Sequence, residues 1–302
     1  MKKFTTATLV AGLMVGSAAL VGAAFTGGAI AGGHSHAQHF DGAALDAVLA
    51  VQSDEMKARY KYRHPKETLA FFGITPGMTV GDLLPGRPGY YSRILSSYLG
   101  EEGTVVGIDY SMDMWNVWQE GKDEFLEKRA KWAERWTENA QKELAGNGAA
   151  LAAMALGAAP ADLNGKLDAI VAFRAMHHIN RFEHKGGHFT KGLAAMYAAL
   201  KPGGIVGIVQ HRAPEGNSDA WAVGDNGYIK QTALVKSMEA AGFVFDGASE
   251  INANPKDMPT EEDKVWRLPP ALGTSKDDAE LRATMQAVGE SDRMTLKFHK
   301  PE

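Results

Sequence analysis

A chain of 302 residues, 45% hydrophobic and 23% charged, has ordinary globular composition and suits one large α/β domain with additions, or two small domains. Its formal net charge of −4 argues against a nucleic-acid binder, which normally carries a basic surplus. It contains no cysteine, so no disulfide can form and the fold must rest on its core.

Lys2 and Lys3 precede an uncharged run, Phe4 to Gly33, rich in Ala, Gly, Val and Leu. A basic start, an apolar run and a small-residue exit describe a secretory signal peptide over residues 1–31. Ala29-Ile30-Ala31 offers a cleavage site, and Val21-Gly22-Ala23 an earlier one. The alternative is an uncleaved membrane anchor, since the run is long enough to span a bilayer. Its many glycines make a spanning helix less favourable, so export to the periplasm is expected, with membrane attachment only if the segment is kept. Residues 32–40, with His34, His36 and His39, read as a flexible leader. Such histidines can bind metal loosely, but a solvated linker is the simpler reading. Residues 41–302 form the expected single domain.

Within it, Leu45, Val48 and Leu49 recur at helical spacing. His64-Pro65 starts a helix that Gly73 ends. Met78 to Leu84 reads as a buried strand and Tyr90 to Leu99 as a helix. Gly103 to Tyr110 reads as a second strand. Met112 to about Leu144 is a long charged helical stretch, an insertion near 112–145, with Trp115, Trp118, Trp132 and Trp136 at helical intervals that suggest packing. Ala149 to Leu156 is ambiguous between strand and helix. Leu167 to Phe173 is a strand, Phe189 to Leu200 a helix and Ile205 to Gln210 a strand. Ile229 to Ala241 reads as a helix, Phe243 to Phe245 as a strand and Arg293 to Phe298 as the last strand. The alternation predicts a doubly wound α/β fold: a Rossmann-like, mostly parallel seven-stranded sheet with an antiparallel last strand and helices on both faces.

In such a sheet ligands bind beyond the carboxyl ends of the strands. Asp82 lies on the first strand, Gly86 and Gly89 in the loop after it, and Asp109 closes the second strand, one strand–helix–strand step away. Glycines let a backbone approach a ligand, and an acid at the second strand's end can accept ribose hydroxyls. The loop lacks the third glycine of a dinucleotide site, and S-adenosylmethionine, which has no phosphate, fits it better.

These residues resemble the class I S-adenosylmethionine-dependent methyltransferases, specifically a bacterial family of predicted methyltransferases that often carry export signals. The resemblance runs through Tyr62-Arg-His-Pro-Lys-Glu-Thr-Leu-Ala-Phe-Phe-Gly73, Leu84-Pro-Gly86 with Tyr90-Tyr-Ser92, and Phe173-Arg-Ala-Met-His-His178. It continues through His211-Arg-Ala-Pro-Glu-Gly216, Val265-Trp-Arg-Leu-Pro-Pro270 and Gly289-Glu-Ser-Asp-Arg-Met-Thr-Leu-Lys-Phe298. It implies S-adenosylmethionine as cofactor and a small-molecule methyl acceptor. The family's Pro-Gly-Gly-Gly is replaced here by Pro85-Gly-Arg-Pro-Gly89. Pro88 removes an N–H, and Arg87 is expected to compensate by pairing with the ligand's carboxylate. After the third strand, where the class often places an acid near the adenine amine, Asp162 is the nearest candidate.

The reacting end is expected after the fourth strand, at Arg174, His177 and His178. A histidine there can serve as base or be a hydrogen-bonded strand-end residue, and Arg174 is read as a substrate clamp. His184 and His188 with these histidines match no metal-site spacing, so no metal is expected. Two other functions stay open: a catalytically impaired S-adenosylmethionine-binding protein, and a nicotinamide-dependent oxidoreductase.

Overall fold

The computed structural model describes residues 39–302 apart from residue 145. The expected signal peptide, and the leader up to residue 38, lie outside the described residues. Asp41 accepts hydrogen bonds from the Ala43 and Ala44 N–H groups at 3.1 and 2.9 Å and so starts α1 (Gly42–Ala50). Two short helices, α2 (Asp54–Lys57) and α3 (Tyr60–Arg63), lead into α4 (Pro65–Phe72). Proline opens α4, and Gly73, at φ 76°, closes it, as the sequence suggests.

Strands and helices then alternate: β1 (Thr79–Leu83), α5 (Tyr90–Tyr98) and β2 (Thr104–Asp109). The expected single long helical stretch is instead three helices, α6 (Met112–Trp118), α7 (Asp123–Ala130) and α8 (Trp132–Glu143). Left-handed Gly121, at φ 75°, breaks the first pair, and non-helical Lys131 breaks the second. The ambiguous alanine-rich segment is a strand, β3 (Ala150–Ala155). Next come β4 (Leu167–Phe173), α9 (Met176–Asn180), α10 (His188–Ala199) and β5 (Leu200–Ala213), the last longer than anticipated. After β6 (Ile229–Lys230), α11 (Gln231–Ala240) and β7 (Val244–Ser249), the unanticipated α12 (Ala279–Val288) precedes β8 (Arg293–His299).

The main sheet runs β3-β2-β1-β4-β5-β8-β7, with β6 added beside β5. From β3 to β5 neighbouring strands are parallel, and β8 runs antiparallel to β5 and β7. This is the expected Rossmann-like sheet. Alternate residues feed opposite cores: Ala169 and Val171 pack with Leu69, Phe72 and Ile94 on one face, Ile170 and Ala172 with Leu193 and Met196 on the other. Gly107 lets α8 close on the sheet, because a Cβ there would lie 2.7 Å from the Trp136 ring. Strand order reverses between β1 and β4, which places the ligand crevice at their carboxyl ends.

Candidate functional site

The two strands at the reversal leave the sheet in the same unusual way. Leu84, after β1, has φ 54°, and Arg174, after β4, has φ 57°. Each donates its N–H to the adjoining strand: Leu84 to the Ile108 carbonyl at 2.7 Å, Arg174 to that of Val209 at 2.6 Å. Left-handed geometry in non-glycine residues is strained by about 1 kcal/mol or more and concentrates at functional sites. Here it turns the chain sharply away from the sheet and opens the crevice.

On the β1–β2 side, the Asp82 carboxylate is buried under the start of α5 and accepts from the Ser92 hydroxyl at 2.7 Å. Burial pushes its pKa up to about 7, against the lowering effect of Ser92's side-chain and backbone bonds. Asp82 therefore fastens the loop to α5 and serves as a positioning residue. Gly86 is left-handed at φ 76°, and a Cβ there would meet nothing within 4 Å, so open space lies over the loop. Gly89 cannot carry a side chain, because its Cβ would sit 2.4 Å from the Pro85 carbonyl oxygen.

Asp109 closes β2, 2% exposed. Three donors converge on its Oδ1: the Tyr110 N–H at 2.8 Å, Trp115 Nε1 at 3.1 Å, and the Arg129 guanidinium. Arg129 also lies over the Trp115 ring, 4.0 Å from its centroid. Among the described residues Oδ2 has no hydrogen-bond partner. Beyond β2 and β3 lies a cavity of about 410 Å³, within the range of small-molecule sites. Its walls include Ser111, Met112, Leu156 and Gly157. These features fit S-adenosylmethionine: an unpartnered carboxylate oxygen for ribose at the end of β2, an uncrowded glycine loop after β1, and a partly apolar cavity walled by the segments after β2 and β3.

Two expected contributors stand elsewhere. Arg87 is 72% exposed at its side chain and pairs with Glu143 at 2.7 Å, so its guanidinium is held by α8 rather than turned to the loop. Asp162 is exposed in the turn after β3 and does not line the cavity, whose wall there is Ala155 to Ala158. The acid is offset because the chain leaves β3 through a turn at Gly157, φ 79°.

On the β4–β5 side His177 and His178 meet at 3.9 Å between ring centroids. The Tyr110 hydroxyl donates to the Ala175 carbonyl at 2.6 Å and contacts His178 Nδ1 at 3.2 Å. Its one proton is committed, so the imidazole must donate from Nδ1, leaving Nε2 with a lone pair. Burial, then Arg181 and Arg174, pull the His178 pKa down to about 4, and the ring is neutral at physiological pH. Trp118 walls it, with ring centroids 5.1 Å apart. His177 is buried against Gln210 at 3.3–3.4 Å, and its buried Nε2 has no partner. Burial, then His178, hold its pKa well below the usual histidine value.

Arg174 stands near two further arginines, Arg63 from α3 and Arg293 from β8, with Glu290 among them. Glu290 pairs with Arg63 at 3.3 Å and Arg293 at 3.1 Å. Glu290 and Arg293 escape residue-by-residue reading because 227 positions separate Glu290 from Arg63. Tyr110, Trp115 and Arg129 also complete the site from outside the sequence-derived set. Tyr110 and Trp115 are signalled in advance only by their place just after β2, and Arg129, at the end of α7, carries no such signal. Among the described residues, no group of three or more His, Asp or Glu side chains is disposed to hold a metal, and no helix is long and apolar enough to cross a membrane.

Compared by sequence, the chain matches no protein-family profile and no curated protein. Among solved structures it is similar to a geranyl diphosphate C-methyltransferase from Streptomyces coelicolor, at 13% identity over 88% of this chain and 91% of that one, TM-score 0.48. It is also similar to a SAM-dependent methyltransferase from Aquifex aeolicus, at 17% identity over 70% and 94%, TM-score 0.45. The cyclase SpnF is a further match, at 14% identity over 79% and 80%, TM-score 0.49. Likenesses at this level concern the fold alone, and the activity has to be argued from the residues.

Proposed function

We propose that the chain is an S-adenosylmethionine-dependent methyltransferase acting on a small molecule. The observation that carries this reading is the unpartnered Oδ2 of Asp109 at the end of β2, two residues before Ser111 of the cavity wall, with uncrowded Gly86 in the loop after neighbouring β1. Asp109 would hold the ribose, the Pro85–Gly89 loop the methionine end, and the Met112–Leu156 cavity the adenine. When bound, the cofactor supplies a methyl group on a sulfonium, already activated for displacement. The protein's task is then to orient the acceptor and exclude water. His178, with Nδ1–H fixed by Tyr110, presents Nε2 as a hydrogen-bond acceptor that can align an acceptor hydroxyl or amine and take its proton. A pKa near 4 makes it a weak base, so alignment is its larger contribution.

Titration of the purified full chain with S-adenosylmethionine and its demethylated product, with NAD as control, tests the reading. Micromolar binding of both, about −8 kcal/mol, is expected. Binding of NAD alone would replace the proposal with the oxidoreductase reading. One observation favours the impaired-binder alternative: Arg129 and Trp115 already engage Asp109, and Pro88 lacks an N–H. Tight binding without turnover on any acceptor panel would select it. Membership of the exported bacterial family, with a periplasmic site of action, belongs to the same proposal. N-terminal sequencing of the protein from a periplasmic extract should then begin at Gly32 or Ala24.

A further inference from the structure

The arginine cluster beside β4 has more positive charge than its own carboxylate can balance. Arg63 is 5% exposed and Arg293 3% exposed. Half-buried Arg174 follows Phe173, whose ring stacks on Tyr91, and the Tyr91 hydroxyl donates to the Arg63 carbonyl at 3.2 Å, which brings Arg174 close enough to feel both guanidinium groups. Arg59 also reaches Glu290, at 3.8 Å. Glu290 is thus shared among three guanidinium groups. Burial alone would raise its pKa, but Arg293, Arg63 and Arg174 hold it below the usual range. Arg293 is fully engaged, through Glu290, the Ser291 carbonyl at 3.2 Å and the Tyr62 carbonyl at 2.9 Å.

Arg63 and Arg174 differ from it. Arg63 reaches Glu290 only through Nε, at 3.3 and 3.4 Å, and its plane lies over Tyr90, 4.7 Å from the ring centroid. Its terminal nitrogens have no hydrogen-bond partner among the described residues. Arg174 has no side-chain hydrogen bond or ion pair at all among them, although its backbone is held in a left-handed turn at φ 57°. Burial, with repulsion from Arg63 and Arg293, lowers its pKa to about 9. A guanidinium kept without a counter-ion in a partly desolvated place is unfavourable by itself. The fork of N–H donors it presents is the geometry that recognises carboxylates and phosphates.

We propose that Arg174 and the terminal nitrogens of Arg63 form a receptor for an oxyanion, a carboxylate or phosphate, at the carboxyl end of β4. The methyl acceptor is then an anionic small molecule, and the receptor fixes its acidic group while His178 faces the reacting atom. This identification of the acceptor rests on the methyltransferase reading, but the receptor does not. The cofactor's own carboxylate is the other source of the same chemistry.

The test uses the full chain, with inorganic phosphate and succinate as probes, titrated with and without saturating S-adenosylhomocysteine. Wild type should bind at least one probe, and Arg174→Met should weaken it about tenfold or more. Arg174→Lys, which keeps the charge but not the fork, should fall between. Exposed Arg282→Met should change nothing. Because Arg174 makes no pair, Arg174→Met should leave the melting temperature unchanged or raise it, whereas a structural ion-pair residue would lower it. S-adenosylhomocysteine and methylthioadenosine, which lacks the amino-acid end, separate the sources. If Arg174→Met lowers affinity for the former alone, the oxyanion is the cofactor's, and if neither affinity moves, it is the acceptor's. Probe affinity that ignores Arg174, absence of probe binding by wild type, or marked destabilisation of Arg174→Met would each overturn the receptor. Failure of wild type to bind S-adenosylhomocysteine, with Arg174-dependent probe binding intact, would instead remove the methyltransferase reading and leave the receptor standing.

Discussion

The two sides of the crevice handle charge in opposite ways. On the β1–β2 side each carboxylate is already engaged by the protein: Asp82 by Ser92, Asp109 by Tyr110, Trp115 and Arg129. On the β4–β5 side the Arg174 guanidinium has no ion pair or side-chain hydrogen bond among the described residues, and the buried His177 Nε2 has no partner. Buried charges are normally paired, so the contrast separates a side whose charged groups the protein already pairs or orients, with Asp109 Oδ2 left over, from one whose Arg174 guanidinium only a ligand would pair. Preorganisation suits a constant cofactor, and unsatisfied groups suit a recognised acceptor.

The sharpest way to break this contrast is to remove a partner from the assembled side. Arg129→Met leaves the buried Asp109 carboxylate with only neutral donors, and losing one member of a buried ion pair costs about 3–5 kcal/mol. Chemical denaturation should show a loss of that order. If Arg129 also shields the ribose position, affinity for S-adenosylhomocysteine should rise in the same variant. A variant as stable as wild type would mean that Asp109 is not dependent on its pair.

Asp82 gives a second test, with a sign fixed by pH. Its folded pKa of about 7 lies above the ordinary 3.8. Below about pH 4 the group is neutral whether folded or unfolded, and it disfavours neither state. As pH rises towards 7 the unfolded state gains solvated charge while the folded state resists ionising, so stability is progressively lost. Asp82→Asn should therefore be indistinguishable from wild type near pH 4 and more stable above pH 7, by at most about 4 kcal/mol. Urea midpoints at pH 5 and 8 measure it, and equal differences at both would show that Asp82 ionises normally.

These contrasts were unequally visible in the amino-acid sequence. Runs such as Leu167–Phe173 and Thr104–Asp109 announce buried strands because their hydrophobicity is continuous, and the parallel order follows from alternation with helices. Asp82, Gly86, Gly89, Asp109, Arg174, His177 and His178 are legible as a group because strand ends converge on one edge. The partners are not. Arg129 reaches Asp109 only because Gly121 and Lys131 break the helical stretch into three, and Glu290 joins Arg63 across most of the chain. The alanine-rich β3 carries too little side-chain volume to signal its period.

On the acceptor side, replacing His178 by Asn removes the aligned Nε2 and should lower kcat about 100-fold if it takes the acceptor's proton. With a pKa near 4, the ring is neutral from pH 6 to 9, so the wild-type rate should show no inflection from His178 there. The same depressed pKa means that stability falls as pH drops from about 6.5 towards 4, where only the unfolded ring gains a proton. A kcat inflection near pH 6.5 that vanishes in His178→Asn would place the ring in water and undo its assignment.

The smallest effect belongs to Arg87, and it decides how the altered glycine loop works. Its pair with Glu143 is largely exposed, and Glu143 also holds Arg93, so Arg87→Ala should cost under about 1 kcal/mol of stability. If the pairing with α8 persists when ligand binds, affinity for S-adenosylhomocysteine should also stay within about twofold, a change of roughly 0.4 kcal/mol. The loop then holds its ligand through backbone and open space alone, and Pro88 is tolerated because the N–H it removes is not needed. A tenfold loss of affinity would instead mean that Arg87 leaves Glu143 and swings onto the ligand. The β1–β2 side would then also have a guanidinium that the ligand pairs, and the two sides would differ in degree rather than in kind.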